Sequence, residues 1–567
     1  MTRTTGLPSG SRLRRGAAAL LAGLALVALT ACAAIPTTGP VQRGSKVQDD
    51  TQSGLDYRPD GPVKGSDQET ILQDFIRAAT GPQDNYAIAR EFLSDGFAQK
   101  WNPRQSVTIR QSGGGITRTT ERRLSYTLTA SATVDAAGEY TQAVRPTSST
   151  LTFQFTKQSG QWRISYAPDG IILNPANFES VFQAHALYFY DPTYKYLVPD
   201  ERWFLARSST STRIASALLA GPSDWLKGAV VSAFPEGTQL SLNAVTVDNG
   251  SAQVDLTSDA LKASTLEKVR MREQLTSSLS TVASISSVSI TVEGTGLSVP
   301  DSSGTSAERD PDVDPRPLVY GDRGVGNATA SSLSALPSIG DKIAALAPTS
   351  FEVSTSGSEA AVGNRDGVFG VRSGSAAPLR LDARTGLVAP SIDDQGFVWS
   401  GQASDPRSIT AFGAGGDTHT VASTLPPGQL VSFEVSRDSA RALALIETDS
   451  GAALYVMAII RDAQKAPTSF GTPIRVQAAT GDPVDATWAS DLEVATLGET
   501  STGSSVTTST IGGQSETLSR PSGDGTDIVG GSAGALLLRV SDGRVLSESG
   551  GGWDDTGVTA KVLGTQR

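Results

Sequence analysis

The chain has 567 residues, more than a single hydrophobic core accommodates, so a multidomain protein is expected. Hydrophobic residues make up 38% and charged residues 19%, with 58 glycines and abundant serine and threonine, a mixture that favours short strands and turns over long helices. A formal net charge of −11 without a basic patch argues against a nucleic-acid partner.

The first 31 residues read as a secretory signal. Arg3, Arg12, Arg14 and Arg15 precede an apolar stretch from Ala17 to Ala31 that is short for a spanning helix. No acidic residue lies in this segment, so its removal takes four arginines from a net charge of −11 and leaves −15. Gly16-Ala17 follows Arg14-Arg15 where a twin-arginine signal carries a bulkier apolar pair, which points to general secretion. Leu29-Thr30-Ala31-Cys32 has the form of a bacterial lipobox, and Cys32 is the only cysteine in the chain. A thiol at that position can take a diacylglyceryl thioether, and its new amine an acyl group such as palmitate. With one cysteine, no disulfide within the chain is possible. The expected outcome is a lipid anchor at Cys32 in the cell membrane, on its extracytoplasmic face.

Residues 32–65 read as a tether, because Pro36, Gly39, Pro40, Gly44, Gly54, Pro59, Gly61, Pro62 and Gly65 break any periodicity. Ser66-Asp67-Gln68-Glu69 then has the pattern of a capping box, followed by Ile71, Leu72, Phe75, Ile76 and Ala79 at helical spacing. A second short helix is predicted from Tyr86 to Leu93. Beyond Trp101 the alternation changes to that of strands, clearest at Leu151, Phe153 and Phe155. Residues 66–180 are therefore an α+β domain, a cone of the nuclear-transport-factor-2 type.

Residues 181–295 form a compact α/β unit. A strand pair is predicted around Asp191-Pro192, and a helix through Ile214, Leu218 and Leu219 that ends at Gly221-Pro222. Strands on either side of Asp248-Asn249-Gly250 carry a strong hairpin signal. A helix with Met271, Leu275, Leu279 and Val282 on one side leads into a last strand. Residues 296–316 read as a linker. In residues 317–567, short apolar strands centred on Val362, Val398, Leu443, Val494 and Leu537 recur about every 36 to 51 residues, the span of a four-stranded propeller blade. A β-sandwich with long loops is the competing fold.

Catalytic motifs are not found. His185 and His419 fall in different predicted domains, and there is no zinc motif, P-loop or dinucleotide fingerprint, so no cofactor or metal is expected. Asp310, Asp312 and Asp314 alternate like a calcium loop, but Pro315 and Gly321 stand where that loop needs glycine and glutamate. Asp393-Asp394 and Asp554-Asp555 are neighbours, and adjacent strand residues face opposite ways, which makes them poor carboxylate couples for glycoside hydrolysis. "SIDDQGFVW" resembles a sialidase Asp-box with one residue too many before Gly396, and a turn is the simpler account. The tryptophans are read as packing between blades, and "RWFLA" from Arg202 and "LYFYDP" from Leu187 as core or contact surface near a domain interface.

Cys32, the run Ile35-Pro36-Thr37-Thr38-Gly39-Pro40-Val41, residues 71–103, "LYFYDP", "LVPDERW", "LLAGPSDWL" and "FPEGTQL" together resemble the actinobacterial LpqB lipoprotein family. The resemblance implies a GerMN domain near residues 185–294 and a C-terminal β-propeller. It departs from the family at Ser439, where the blade pattern "SxDG" would carry glycine. It implies a non-enzymatic, lipid-anchored accessory protein that contacts the extracellular part of an MtrB-like sensor histidine kinase. Through the MtrA–MtrB two-component system such a role serves envelope homeostasis and division. The alternative is a cell-wall glycan-binding protein or glycan hydrolase.

Overall fold

The computed structural model describes residue 2 and residues 59–567, apart from 112, 113, 207, 208, 243, 302, 303 and 305. The lipobox Leu29-Thr30-Ala31, Cys32 and all of the tether up to residue 58 lie outside the described residues. Among the described residues no helix is long and apolar enough to cross a membrane.

The N-terminal domain starts with the helix Gln68–Ala78, which buries Ile71, Leu72, Phe75 and Ala78 on one face. Its N-cap is Asp67, whose carboxylate accepts the Thr70 N–H at 2.9 Å. The capping box expected at Ser66 therefore does not form. Ser66 is held in the preceding turn, its N–H bonded to the Val63 carbonyl. In the second helix, Gln83–Glu91, Asp84, Asn85 and Tyr86 take left-handed φ of 47°, 56° and 62°, so the right-handed turns begin only past the predicted start at Tyr86. A sheet then folds against these helices in the order Gln161–Tyr166, Tyr140–Gln158, Arg123–Asp135, Ser106–Arg110 and Ile171–Leu173, with Gly115–Thr120 also on Arg123–Asp135. Phe75, Trp101, Phe153, Phe155 and Ile164 meet in its core. This is the α+β arrangement read from the sequence.

The next domain opens with a nine-pair hairpin, Phe182–Tyr190 against Leu197–Leu205. Asp191 closes its turn by accepting the N–H groups of Thr193 and Tyr196 at 2.8 and 2.7 Å. The helix Thr210–Ala220 stops at Gly221, whose φ of 101° is open to glycine. A four-stranded sheet follows, with Ser251–Leu256 parallel to Ser287–Val292 and joined to it by the helix Thr265–Leu279. Here a capping box does form, between Ser264 and Glu267. Val282, expected on this helix, lies beyond its end.

The C-terminal region is a six-bladed propeller. The inner strands Ser350–Val353, Ser391–Ile392, Gln429–Val435, Asp482–Trp488, Gly525–Gly530 and Val562–Gln566 neighbour one another around a closed ring. The five apolar centres read from the sequence fall on the second strands of five blades. The sixth blade is split. Its inner strand Val562–Gln566 pairs with Leu318–Gly321, which continues through Gly324–Ala328 to Leu333–Ala335. Closing the ring with strands from both ends of the propeller ties the circle shut. At Ser439 the hairpin turn forms despite the missing glycine. Ser439 takes φ 60°, and Asp438 accepts the Ala440 N–H at 2.9 Å.

Candidate functional site at the domain junction

The strand Leu197–Leu205 joins all three domains. On one side the Trp203 ring packs on Phe178 at 4.8 Å and Tyr140 at 5.6 Å, and its backbone N–H reaches the Gly138 carbonyl at 2.8 Å. On the other, its indole N–H donates to the Gly512 carbonyl of the propeller at 2.9 Å. The "RWFLA" segment is thus both core and contact. Next to it, Arg202 pairs with Asp200 at 2.9 Å and donates to the Ala137 carbonyl of the N-terminal domain at 3.1 Å. Asp200 also accepts from Ser223 N and Oγ, which satisfies a carboxylate that would otherwise be costly to bury.

Toward the propeller the α/β domain shares a continuous apolar core with two blades. Leu187, Phe189, Leu218, Leu226 and Met271 belong to the same cluster as Leu443, Val456, Trp488 and Val494. The turn of the hairpin is pinned by Asp394, which takes the Tyr196 hydroxyl at 2.8 Å and an ion pair from Lys195. Glu308 and Asp310 of the segment read as a linker lie in this seam: Leu197 N–H donates to the Glu308 carbonyl at 2.9 Å, and Asp310 lies 3.8 Å from the Arg437 guanidinium. Asp310, Arg437, Asp438, Arg441 and Asp491 line one small enclosed cavity there. Burial, with Asp310 nearby, pushes the Asp491 carboxyl up to about 7.

The propeller axis holds a second charged group. Arg567 reaches in to Glu352 of the first inner strand, to the Ser436 carbonyl at 2.5 Å and to Ser391 Oγ at 3.1 Å. Glu434 and Asp485 lie close by. Burial and the Glu352 charge push Glu434 up to about 8, and burial with Asp527 pushes Asp485 up to about 7. No motif marked these residues, because each comes from a different blade and they meet only when the ring closes.

The residues singled out from the sequence take structural places. His185 is buried, its Nδ1 at 3.1 Å from Thr281 Oγ1, and burial pushes it down to about 4. His419 bonds Asp417 at 2.9 Å in another domain. Asp393 and Asp394 point in different directions, the first inward to Trp399 Nε1 at 3.0 Å and Arg461 at 2.6 Å. Asp393 also accepts the N–H groups of Gln395 and Phe397, so the Asp-box-like segment is a turn. Asp555 lies 3.4 Å from Arg544 on the last full blade. Asp314 pairs with Arg316 at 2.6 Å, and no group of three or more metal-ligating residues occurs among the described residues. Trp399 and Trp488 are buried inside the blades.

Two surfaces can receive another molecule. The first is a cleft of about 410 Å³ where the three domains meet, with Glu139 and Tyr140 from the first, Glu201 and Trp225 from the second, and Arg475 and Gly513 from the propeller among its walls. Burial, with Glu493 and Asp491 nearby, pushes Glu201 up to about 8. Burial also raises Glu139. The second is the exposed sheet edge of the α/β domain. Leu242, Val247, Leu261 and Leu266 are 65%, 40%, 56% and 57% exposed, and the edge strand Thr246–Asp248 is exposed throughout. An uncovered sheet edge with apolar neighbours is a template for another chain.

Three family models match successive parts of the chain. They are the lipoprotein LpqB N-terminal domain over residues 61–179, the sporulation and spore germination domain over 186–298, and the lipoprotein LpqB β-propeller domain over 325–561. Lipoprotein LpqB of Cutibacterium acnes is 28% identical over 280 residues, 49% of this chain and 47% of that protein. Lipoprotein LpqB of Streptomyces coelicolor is 26% identical over 543 residues, 86% of this chain and 87% of that protein. The chain spans about half the length of the first curated relatives it matches, 47% and 48%. Among solved structures, the tandem GerMN domains of the sporulation protein GerM from Bacillus subtilis match at 17% identity and a TM-score of 0.17, over 34% of this chain and 59% of that chain.

Proposed function

The chain belongs to the LpqB lipoprotein family, and from that premise we propose that it is a lipid-anchored accessory protein that works by contact rather than catalysis. In this reading residues 1–31 are a signal peptide, and Cys32 carries a diacylglyceryl group on sulfur and a palmitoyl-type chain on its amine. The anchor holds the three domains on the extracytoplasmic face of the cell membrane. Its partner is the extracellular part of an MtrB-like sensor histidine kinase, through which the protein modulates the MtrA–MtrB two-component system, envelope homeostasis and division. Confinement to the membrane plane raises its effective concentration near such a partner.

The observation that carries this reading is the set of exposed apolar side chains on the α/β domain, Leu242, Val247, Leu261 and Leu266, with its exposed edge strand Thr246–Asp248. That domain shares its apolar core with two propeller blades, so these side chains are presented on a rigid support. The test is a double substitution, Leu261→Asp with Leu266→Asp, on exposed positions where folding is expected to be unaffected. Binding to the purified extracellular part of the kinase should weaken at least tenfold, and cells carrying the variant should signal as the deletion strain does. Unchanged binding and signalling would overturn the reading. For the glycan-binding alternative, Trp399 and Trp488 are inside the blades, which leaves the partly exposed Trp553 as the tryptophan of the propeller that a sugar could stack on.

A further inference from the structure

The cleft at the three-domain junction has the size of a small-molecule site, about 410 Å³, and lies where such sites concentrate, between domains. Its charge is lopsided. Three carboxylates, Glu139, Asp200 and Glu201, face one arginine, Arg475. Asp200 is already saturated by Arg202 and Ser223. Glu139 has Arg202 at 3.5 Å. The half-buried Glu201 carboxyl has no hydrogen bond or ion pair among the described residues, although Asp491 and Glu493 of the fourth blade add to the negative potential around it. An unpaired carboxyl in such a place is costly to ionise unless a cation arrives.

The cleft is also kept open beside this group. A Cβ added at Gly513 would lie 2.7 Å from Glu201 Oε1, and Gly512 has φ 78° with the Glu201 carbonyl 3.3 Å from the position a Cβ would take. Glycine at both positions lets the propeller loop pass beneath Glu201 without filling the space. The remaining walls include Tyr140, Trp225, Ile474 and Val476, which are apolar or aromatic.

We propose that this cleft binds a small organic cation, a primary ammonium group carried on a short apolar chain, with Glu201 as its main counter-ion and Glu139 as the second. The aromatic and aliphatic walls take the chain, and the carboxyls take the ammonium. An anionic ligand would meet three carboxylates. A neutral one would leave Glu201 without a partner. The assignment stands apart from the kinase-contact reading, because its test contains no kinase.

The probe is cadaverine (1,5-diaminopentane), titrated calorimetrically into the intact chain at pH 7 in two buffers of different ionisation enthalpy. Pentane-1,5-diol and glutarate serve as the neutral and anionic counterparts. Because burial holds Glu201 protonated at neutral pH, cadaverine should bind saturably with release of a fraction of a proton, while the diol and glutarate should not bind. Binding should tighten from pH 6 to 9 as Glu201 ionises; Asp200 and Arg202 on its own strand, Glu139, Arg475, Asp491 and Glu493 are the charged groups around it. Glu201→Gln should weaken binding at least tenfold and abolish the proton release, and Glu139→Gln should weaken it less; melting curves matching the parent chain establish that both variants are folded. Failure of cadaverine to bind, equal binding of the diol or glutarate, or an undiminished affinity in folded Glu201→Gln would each overturn the proposal.

Discussion

The Tyr196 hydroxyl of the α/β hairpin donates to Asp394 of the second propeller blade at 2.8 Å, and Lys195 pairs with the same carboxylate oxygen. Asp393, one residue earlier, is turned inward to Trp399 and Arg461. Adjacent carboxylates thus serve two different connections, one between neighbouring blades of the propeller and one between domains. Tyr196→Phe removes a single hydrogen bond and should destabilise the chain by about 1 kcal/mol. Asp394→Ala should cost more, since it strands both donors. Denaturant unfolding of the two single variants and the double variant should give non-additive losses; full additivity would mean that the contact carries no coupling.

Arg567 tests the propeller axis. Its guanidinium is the cation facing Glu352, and both side chains are almost wholly buried. Removing one partner of a buried pair leaves an uncompensated charge, so Arg567→Met should cost about 3–5 kcal/mol at pH 7. Adding Glu352→Gln should recover part of the loss, because the stranded carboxylate is then gone. Thermal melts of the three chains make the comparison, and a single variant as stable as the parent would mean that the axial pair contributes nothing.

The fold class was legible where local chemistry decides it. Helix faces such as Ile71-Leu72-Phe75, the turn at Asp191 and the hairpin at Asn249-Gly250 are all set by a few adjacent residues. Five blades were legible for the same reason. The sixth was not, because its strands come from Leu318–Ala335 and Val562–Gln566, and no local repeat connects them. The Ser66 cap failed by one position, since Ser and Asp are both good caps and only the preceding turn chooses between them. The junction cleft was invisible for a deeper reason. Glu139, Glu201 and Gly513 lie far apart in the chain and carry no pattern of their own.

Stability should fall as pH rises above neutrality. Glu434 and Asp485 titrate near 8 and 7 in the folded chain, mainly because of burial, and near 4 when unfolded. Between those values the folded state binds more protons than the unfolded one, so each rise in pH costs stability. His185 works the other way, but only below about 6.5, where its burial makes protonation favour unfolding. The window from pH 6.5 to 8.5 therefore belongs to the carboxyls. The loss should be on the order of 1 kcal/mol for each of them. Melting temperatures across that window should decline, and Glu434→Gln with Asp485→Asn should reduce the decline, the remainder coming from Glu201 and Asp491, which burial also raises; a rise in melting temperature with pH would contradict it.

Cys32→Ala should release the protein from the membrane and leave the folded domains unchanged. One lipidated cysteine is the whole proposed anchor, and no described helix can replace it. Fractionation reads the location and mass spectrometry reads the modification on the parent chain. A free thiol at Cys32, or a variant that stays in the membrane fraction, would remove the lipid from the account.

Trp203 connects the N-terminal domain to the propeller through one side chain, so its substitutions separate packing from hydrogen bonding. The ring rests on Phe178 and Tyr140, while the indole N–H reaches the Gly512 carbonyl. Trp203→Phe keeps a ring between the aromatic neighbours and loses the donor, which should cost about 1 kcal/mol. Trp203→Ala also empties the space under Phe178, and large-to-small changes of this kind cost about 3–5 kcal/mol. The location of the damage matters as much as its size. In Trp203→Ala, hydrogen exchange should accelerate at the amide of residue 203, which donates to the Gly138 carbonyl, and at Gly513, whose N–H donates to the Thr510 carbonyl, while the buried strand Arg441–Thr448 should keep its protection. Loss of protection in that strand as well would mean that the junction and the propeller unfold as one unit, and that Trp203 supports the whole assembly rather than the contact between domains.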